Sequence, residues 1–170
     1  NHYHYRMVAI GFEELSSGEK FILNINHLRS KRGTGEESNA KRMANVDSLL
    51  VMLNKIEQEQ TFGDADILLV GDYNSYTQEQ PIQTIIQAGY EDMVMRYDST
   101  GYSYVYHSEA GYLDRVFASS SMAKQVQMVR PYHLNADYFY SRGYKRRLDR
   151  TMFRYADHDP ILISIKLGEK

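Results

Sequence analysis

A chain of 170 residues, 42% hydrophobic and 25% charged, has the make-up of one soluble globular domain built on a single core. It contains no cysteine, which excludes disulfide staples, thiolate zinc sites and a cysteine nucleophile, so a catalytic metal has to sit on oxygen or imidazole ligands. A net charge of -2 argues against a protein that simply coats nucleic acid, and no apolar run approaches the length of a membrane-spanning helix.

Along the chain, Asn1 to Arg6 lacks the basic-then-apolar pattern of a signal peptide. A sequence that opens almost directly on a strand without an initiating Met is expected to be a trimmed product. Arg6 to Glu13 and Lys20 to His27 are apolar, β-branched-rich runs separated by Ser16, Ser17 and Gly18, which predicts an antiparallel hairpin. Arg32, Gly33 and Gly35 then mark a surface loop. From Asn39 to about Gln60, Met43, Val46, Leu49, Leu50 and Leu53 recur at helical spacing, with Lys41, Arg42, Asp47, Lys55 and Glu57 on the other faces. Ile67 to Val70 is a short unbroken apolar run, as expected of a strand buried on both faces. Pro81 to Ala88, closed by Gly89, predicts a second helix; Tyr102 to Tyr106, Leu113 to Ala118, Val126 to Val129 and Ile161 to Ile165 predict further strands. This interleaving indicates a layered α+β domain without internal repeats. Ser141 to Arg154 breaks the even spread of charge, with Arg142, Lys145, Arg146, Arg147, Arg150 and Arg154 against Asp149 alone.

Four polar motifs stand at strand margins. Gly71-Asp72-Tyr73-Asn74 ends a buried strand, where a carboxylate beside an amide can hold a hard cation or orient water, although Asp and Asn also favour any strand-ending turn. Asp157-His158-Asp159-Pro160 sets a His between two carboxylates, which suits holding or delivering a proton at a phosphate oxygen; the alternative is a capped loop with a surface ion pair. Asn26-His27-Leu28 and Leu113-Asp114-Arg115, each taken alone, read as surface residues, the second as an ordinary Asp-Arg contact.

Taken in order, these motifs resemble the endonuclease/exonuclease/phosphatase superfamily, and their wording is nearest its bacterial extracellular-nuclease branch. Asn26 to Lys31 stands for an Asn-His-Leu-Lys-Ser-Lys stretch, with Arg29 in the Lys position, and Arg42 for a helix arginine. Gly71 to Tyr76, Tyr102 to Tyr106 with Gly111 to Arg115, Asn135 to Asp137 and Ala156 to Pro160 supply the remaining stretches. The resemblance implies a deoxyribonuclease I-like layered α/β sandwich, represented over residues 1–170 by the C-terminal part of the domain: mainly one mixed sheet with helices on one face. It implies a metal-dependent phosphodiester hydrolase, a nuclease acting on DNA or RNA, with Mg2+ or Mn2+ as cofactor. In that reading His27, Asp72, Asn74, Asp114 and His158 are catalytic. Asp114 pairs with His158, and Asp157, Asp72 and Asn74 serve the metal. Arg29, Lys31, Arg146 and Arg147 contact the phosphate backbone.

Arg115 replaces a residue that is often His in the nearest branch, and Ala156 stands where Ser is common. The strand-end Gln-Glu that supplies the family's main metal-binding Glu has no counterpart, since Gln58-Glu59 ends a predicted helix and Gln78-Glu79 lies in a loop. Such a half-domain is expected to bare an apolar sheet face and to pair as a homodimer through it, or to be one piece of a longer protein. Rival readings are a phosphatase or lipid phosphodiesterase of the same superfamily and a non-catalytic interaction domain. Similarity to the extracellular branch and the lack of cysteine lean weakly toward a secreted or periplasmic bacterial protein.

Overall fold

Residues 6–59, 66–138 and 153–168 are described by a computed structural model of the chain. Arg6–Glu13 (β1) and Lys20–His27 (β2) form the expected antiparallel hairpin, with Arg6 opposite His27 and Glu13 opposite Lys20. The helix Gly35–Glu59 (α1) then carries the chain over to Ile67–Asp72 (β3), which runs parallel to β2. A parallel neighbour needs such a crossover. The helix begins at Gly35 rather than at Asn39. Glu36 and Glu37 in its first turn complement the positive end of the helix dipole, and the Ser38 N–H bonds the Thr34 carbonyl at 3.0 Å. The two glycines had made this stretch read as loop. A second departure concerns Arg42, expected on the polar outer face: it points inward and is 4% exposed.

After β3 come Gln80–Gln87 (α2), Glu91–Asp92 (β4), Met93–Tyr97 (α3), the hairpin Tyr104–Tyr106 (β5) and Glu109–Gly111 (β6), and Asp114–Ala118 (β7). Met122–Gln125 (α4), Val126–Pro131 (β8) and Ile161–Ile165 (β9) complete the described elements. The mixed main sheet has the order β1-β2-β3-β7-β4; β5-β6 and β8-β9 form two small ribbons. β4, α3, β6 and α4 are too short to show a period in the sequence, and none of them was expected.

Alternation along β3 divides the core. Ile67 and Leu69 face α1 and α2 and meet Val46, Leu49, Leu53, Ile82, Ile85 and Phe117. Leu68 and Val70 face the other way, toward Met93 and Val94 of α3, Met122 of α4 and Val126 and Val129 of β8. The α+β mixed sheet with its two main helices on one face is therefore as expected, and the opposite face is partly roofed by short helices and the β8-β9 ribbon. That roof stops short of β1. Val8 lies opposite Ile25, Ile10 opposite Leu23 and Phe12 opposite Phe21, and Val8, Ile10, Phe12 and Ile25 are each 41–47% exposed. Across the far side of the hairpin this makes a continuous apolar strip, on which the Phe12 and Phe21 rings stack at 5.3 Å.

Candidate active site

The register of the sheet brings the candidate residues together. β3 ends on Asp72 directly opposite Asp114, the first residue of β7, and β2 ends on His27, level with Asp72. Gly71 allows the close approach: its φ is +134°, and a Cβ there would lie 1.9 Å from the Asn26 carbonyl oxygen, so no other residue fits. Asn74 follows at φ 48°, a left-handed conformation that Asn tolerates. Its N–H donates to Asp72 Oδ1 at 2.7 Å, while its Nδ2 donates to Asp72 Oδ2 at 2.8 Å and to the Leu28 carbonyl at 3.1 Å. The turn and site readings of Gly71 to Asn74 thus coexist: the same bonds that close the turn aim the Asp72 carboxylate.

From the far end of the chain, the segment before β9 runs back alongside β5 to the start of β7. An isolated bridge pairs His158 with Tyr104, and the Asp159 N–H bonds the Ser103 carbonyl at 2.8 Å. His158 Nδ1 lies 2.7 Å from Asp114 Oδ2, which also accepts from the Ser103 hydroxyl at 2.7 Å. One ligand atom from each of Asp72, Asp114 and His158 fits within 4.8 Å. His27 Nε2 is 3.6 Å from Asp72 Oδ2, with its side chain 67% exposed. The Tyr104 ring tilts over His158 with 4.6 Å between centroids, and Tyr106 continues the aromatic run at 6.3 Å from Tyr104.

Burial and the neighbouring Asp114 push Asp72 up to about 6, against the opposing pull of His158 and His27. His158 is drawn down by burial, but the hydrogen bond and charge of Asp114, aided by Asp72 and Asp157, outweigh it and hold the imidazole at about 8. At neutral pH His158 is therefore mostly the imidazolium, with Nδ1 committed to Asp114 and Nε2 left to donate. Such a group suits an anion better than a cation. The oxygen donors suited to Mg2+ or Mn2+ are Asp72 and the Asn74 Oδ1, the right kind of atom for a hard ion but fewer than its six positions. Retained water or groups supplied from elsewhere would have to complete that set.

Asp157 is half-buried and is not one of the three converging groups. Its neighbour Asp159 has a structural task that the sequence did not reveal. Its Oδ1 gathers the backbone N–H groups of Leu134, Asn135 and Ala136 at 3.0, 2.7 and 3.0 Å, and Oδ2 lies 2.8 Å from His133 Nδ1. Asn135 Nδ2 donates to the His158 carbonyl at 2.7 Å, so this turn fixes the backbone that presents the imidazole. The Asn135 to Asp137 stretch was the only trace of it in the sequence. Asn26 is likewise buried and structural, its Nδ2 donating to Asn24 Oδ1 at 2.6 Å and to the Tyr73 hydroxyl at 2.9 Å.

Arg115 is no surface partner of Asp114. It turns into the core and pairs with Asp92 at 3.0 Å. Lys31 lies over the Tyr76 ring at 4.2 Å and pairs with Glu79; the Arg29 N–H faces Asn45 Oδ1 at 3.4 Å. Arg146, Arg147 and most of the basic segment fall outside the described residues. Arg154, at the segment's end, donates from Nη1 to the Asn135 carbonyl at 2.8 Å.

No family model and no curated protein matches the sequence. Solved structures do match its fold. An endonuclease/exonuclease/phosphatase family protein from Bacteroides thetaiotaomicron is 18% identical with a TM-score of 0.59, the match covering 88% of this chain and 50% of that one. A mannosyl-6-phosphatase from the same organism is 16% identical at a TM-score of 0.60, over 93% of this chain and 57% of that one. An AP endonuclease from Archaeoglobus fulgidus is 12% identical at 0.62, over 86% and 62%. No helix among the described residues is long and apolar enough to cross a membrane. The chain has the deoxyribonuclease I-like fold of endonuclease/exonuclease/phosphatase family proteins, over half to about three fifths of the length of these solved structures.

Proposed function

We propose that this chain carries part of the active site of a divalent-metal-dependent phosphodiester hydrolase that acts on DNA or RNA. The observation that carries the reading is the convergence of Asp72, Asp114 and His158 from three separated stretches of the chain onto one sheet edge. Nothing in folding requires two carboxylates directly opposite each other at a half-buried edge, where like charges repel. In this reading the Asp114-held imidazolium donates from Nε2 to a phosphate oxygen, and Asp72, fixed by Asn74, accepts a proton from the attacking water. His27, exposed beside Asp72, donates to the leaving oxygen. A bound Mg2+ or Mn2+, held by Asp72 and Asn74 with Asp157 on its flank, would supply charge stabilisation at the phosphate. The exposed Tyr106 and the Tyr104 ring offer a stacking face next to His158, which favours a nucleic acid over a small phosphoester.

The reading is tested by nicking of supercoiled plasmid in Mg2+ or Mn2+, with a chelator control and Asp72→Ala alongside, on this chain and on any longer product of its gene. Nicking that needs the metal and disappears in Asp72→Ala is the expected result; nicking indifferent to both would overturn it.

The solved structures are longer, and the ion's ligand set is short. Both favour a partial domain whose remaining part covers the Val8, Ile10, Phe12 and Ile25 strip and adds metal ligands. Alone, the chain is expected to pair through that strip as a homodimer. Sedimentation should show mass rising with concentration, and Ile10→Lys with Phe12→Lys should return a monomer; a wild-type monomer at high concentration counts against the pairing.

A further inference from the structure

Beside the candidate site, the loop after β2, the first turns of α1 and the residues entering α2 line a shallow, open surface depression of about 410 Å3. Lys31, Ser38, Asn39, Arg42, Glu79 and Gln80 line it. Two features are unusual there. The Arg42 guanidinium is almost wholly buried, yet its Nε and Nη1 have no hydrogen-bond partner among the described residues. Among the described residues its ion-pair partner is Glu79, with Nη2 3.6 Å from Oε2, and the other Glu79 oxygen accepts from Lys31. One carboxylate therefore serves two cations, and serves the buried one at long range. A buried cation left short of acceptors is unfavourable in a folding sense, and burial pulls Arg42 below the usual arginine range despite Glu79.

A tetrahedral anion has more acceptor atoms than a carboxylate and spans two cations readily. We infer that Lys31 and Arg42 form a subsite for a second phosphate of the substrate, and that Glu79 fills it in the free protein as an internal stand-in carboxylate. Lys31 lies four residues after His27, so their α-carbons are at most about 14 Å apart, and Leu28 is tied to Asn74 through its carbonyl. The subsite thus sits within a few nucleotide steps of Asp72 on the same two loops. This inference rests on the proposed hydrolase reading and narrows it to substrates with more than one phosphate: a strand rather than a phosphomonoester. Glu79 is then a specificity residue, a charge that any ligand has to displace and that a substrate with a single phosphate has no means to displace.

The test is equilibrium binding in EDTA, where no turnover occurs, of a short fluorescent DNA duplex and separately of inorganic tripolyphosphate. The proteins are wild type, Glu79→Gln, Lys31→Ala and the double variant, compared across a salt series. Glu79→Gln keeps the shape and an acceptor oxygen, and circular dichroism checks its fold. It should bind both probes roughly fivefold more tightly, while Lys31→Ala binds the duplex more weakly, with a log-log salt slope shallower by about one. The double variant should lose the gain. Glu79→Gln that folds and binds no more tightly, or a gain that survives Lys31→Ala, would overturn the subsite and leave the roles of Asp72 and His158 untouched. Tripolyphosphate affinities in the expected order with no duplex binding by any variant would support the subsite and remove nucleic acid as the substrate.

Discussion

His158→Asn is expected to lower metal-dependent nicking by about 10^3-fold, with the fold intact, because it separates the two tasks of the imidazole. The Asn amide nitrogen can take the place of Nδ1 and keep the bond to Asp114, so the edge of β7 stays as it is. What is lost is Nε2, the one donor of that side chain not already engaged, and the charge that Asp114 holds on it. Asp114→Asn should act through the same group: without that carboxylate, burial draws the imidazole down against only the more distant charges of Asp72 and Asp157, and the ring loses its fixed tautomer. That change is expected to cost about 10^2- to 10^3-fold. Because the two act as a unit, the double variant should be no worse than His158→Asn by itself. If the losses multiply, the pair is not acting through one donor. His27→Ala, at an exposed position with a long contact to Asp72, should cost less, roughly tenfold.

The parts of the site that were legible in the sequence are those where local pattern and chemistry coincide. Buried strands announce themselves by apolar runs, and polar residues at their ends, Asp72 or His27, are placed at a sheet edge by that fact alone. The ordered wording of the motifs did the rest. Position along a strand does not say which strand lies alongside, so the opposition of Asp72 to Asp114 waited for the register, whereas the pairing of His158 with Asp114 was legible through the family resemblance. The same limit explains Arg42 and Arg115. Each is a charged residue whose usual place is outside, and only partners distant in sequence, Glu79 and Asp92, make burial tolerable. Asp159 was misleading for a different reason: next to His158 it looks like chemistry, whereas its oxygens close the turn at 134–136. The α1 start was lost to Gly33, which precedes the helix, and Gly35, which its first turn accommodates.

Arg115→Met should be the most damaging single change to stability outside the apolar core, at about 3–5 kcal/mol, because it strands a buried carboxylate. The Arg115 side chain is 0% exposed. Its Nη1 holds Asp92, and its Nη2 donates to the Thr77 hydroxyl at 2.8 Å and to the Tyr112 carbonyl at 3.2 Å. Asp92 in turn caps α3, its Oδ1 accepting from the Val94 and Met95 N–H groups at 3.1 Å each. One guanidinium thereby ties the start of β7, the short helix and the loop that leaves Asn74. Burial pushes Asp92 above the usual carboxylate range and Arg115 below the usual arginine range in spite of their mutual attraction, so each is held charged mainly by the other. The urea midpoint of Arg115→Met should fall steeply, and Arg115→Met with Asp92→Asn should recover part of the loss, since a neutral amide can still cap α3. A loss under about 1 kcal/mol in the single variant would mean that the pair contributes only shape. Recovery of stability without recovery of nicking is the further expectation, because the Thr77 contact that steadies the Asn74 loop is absent from both variants.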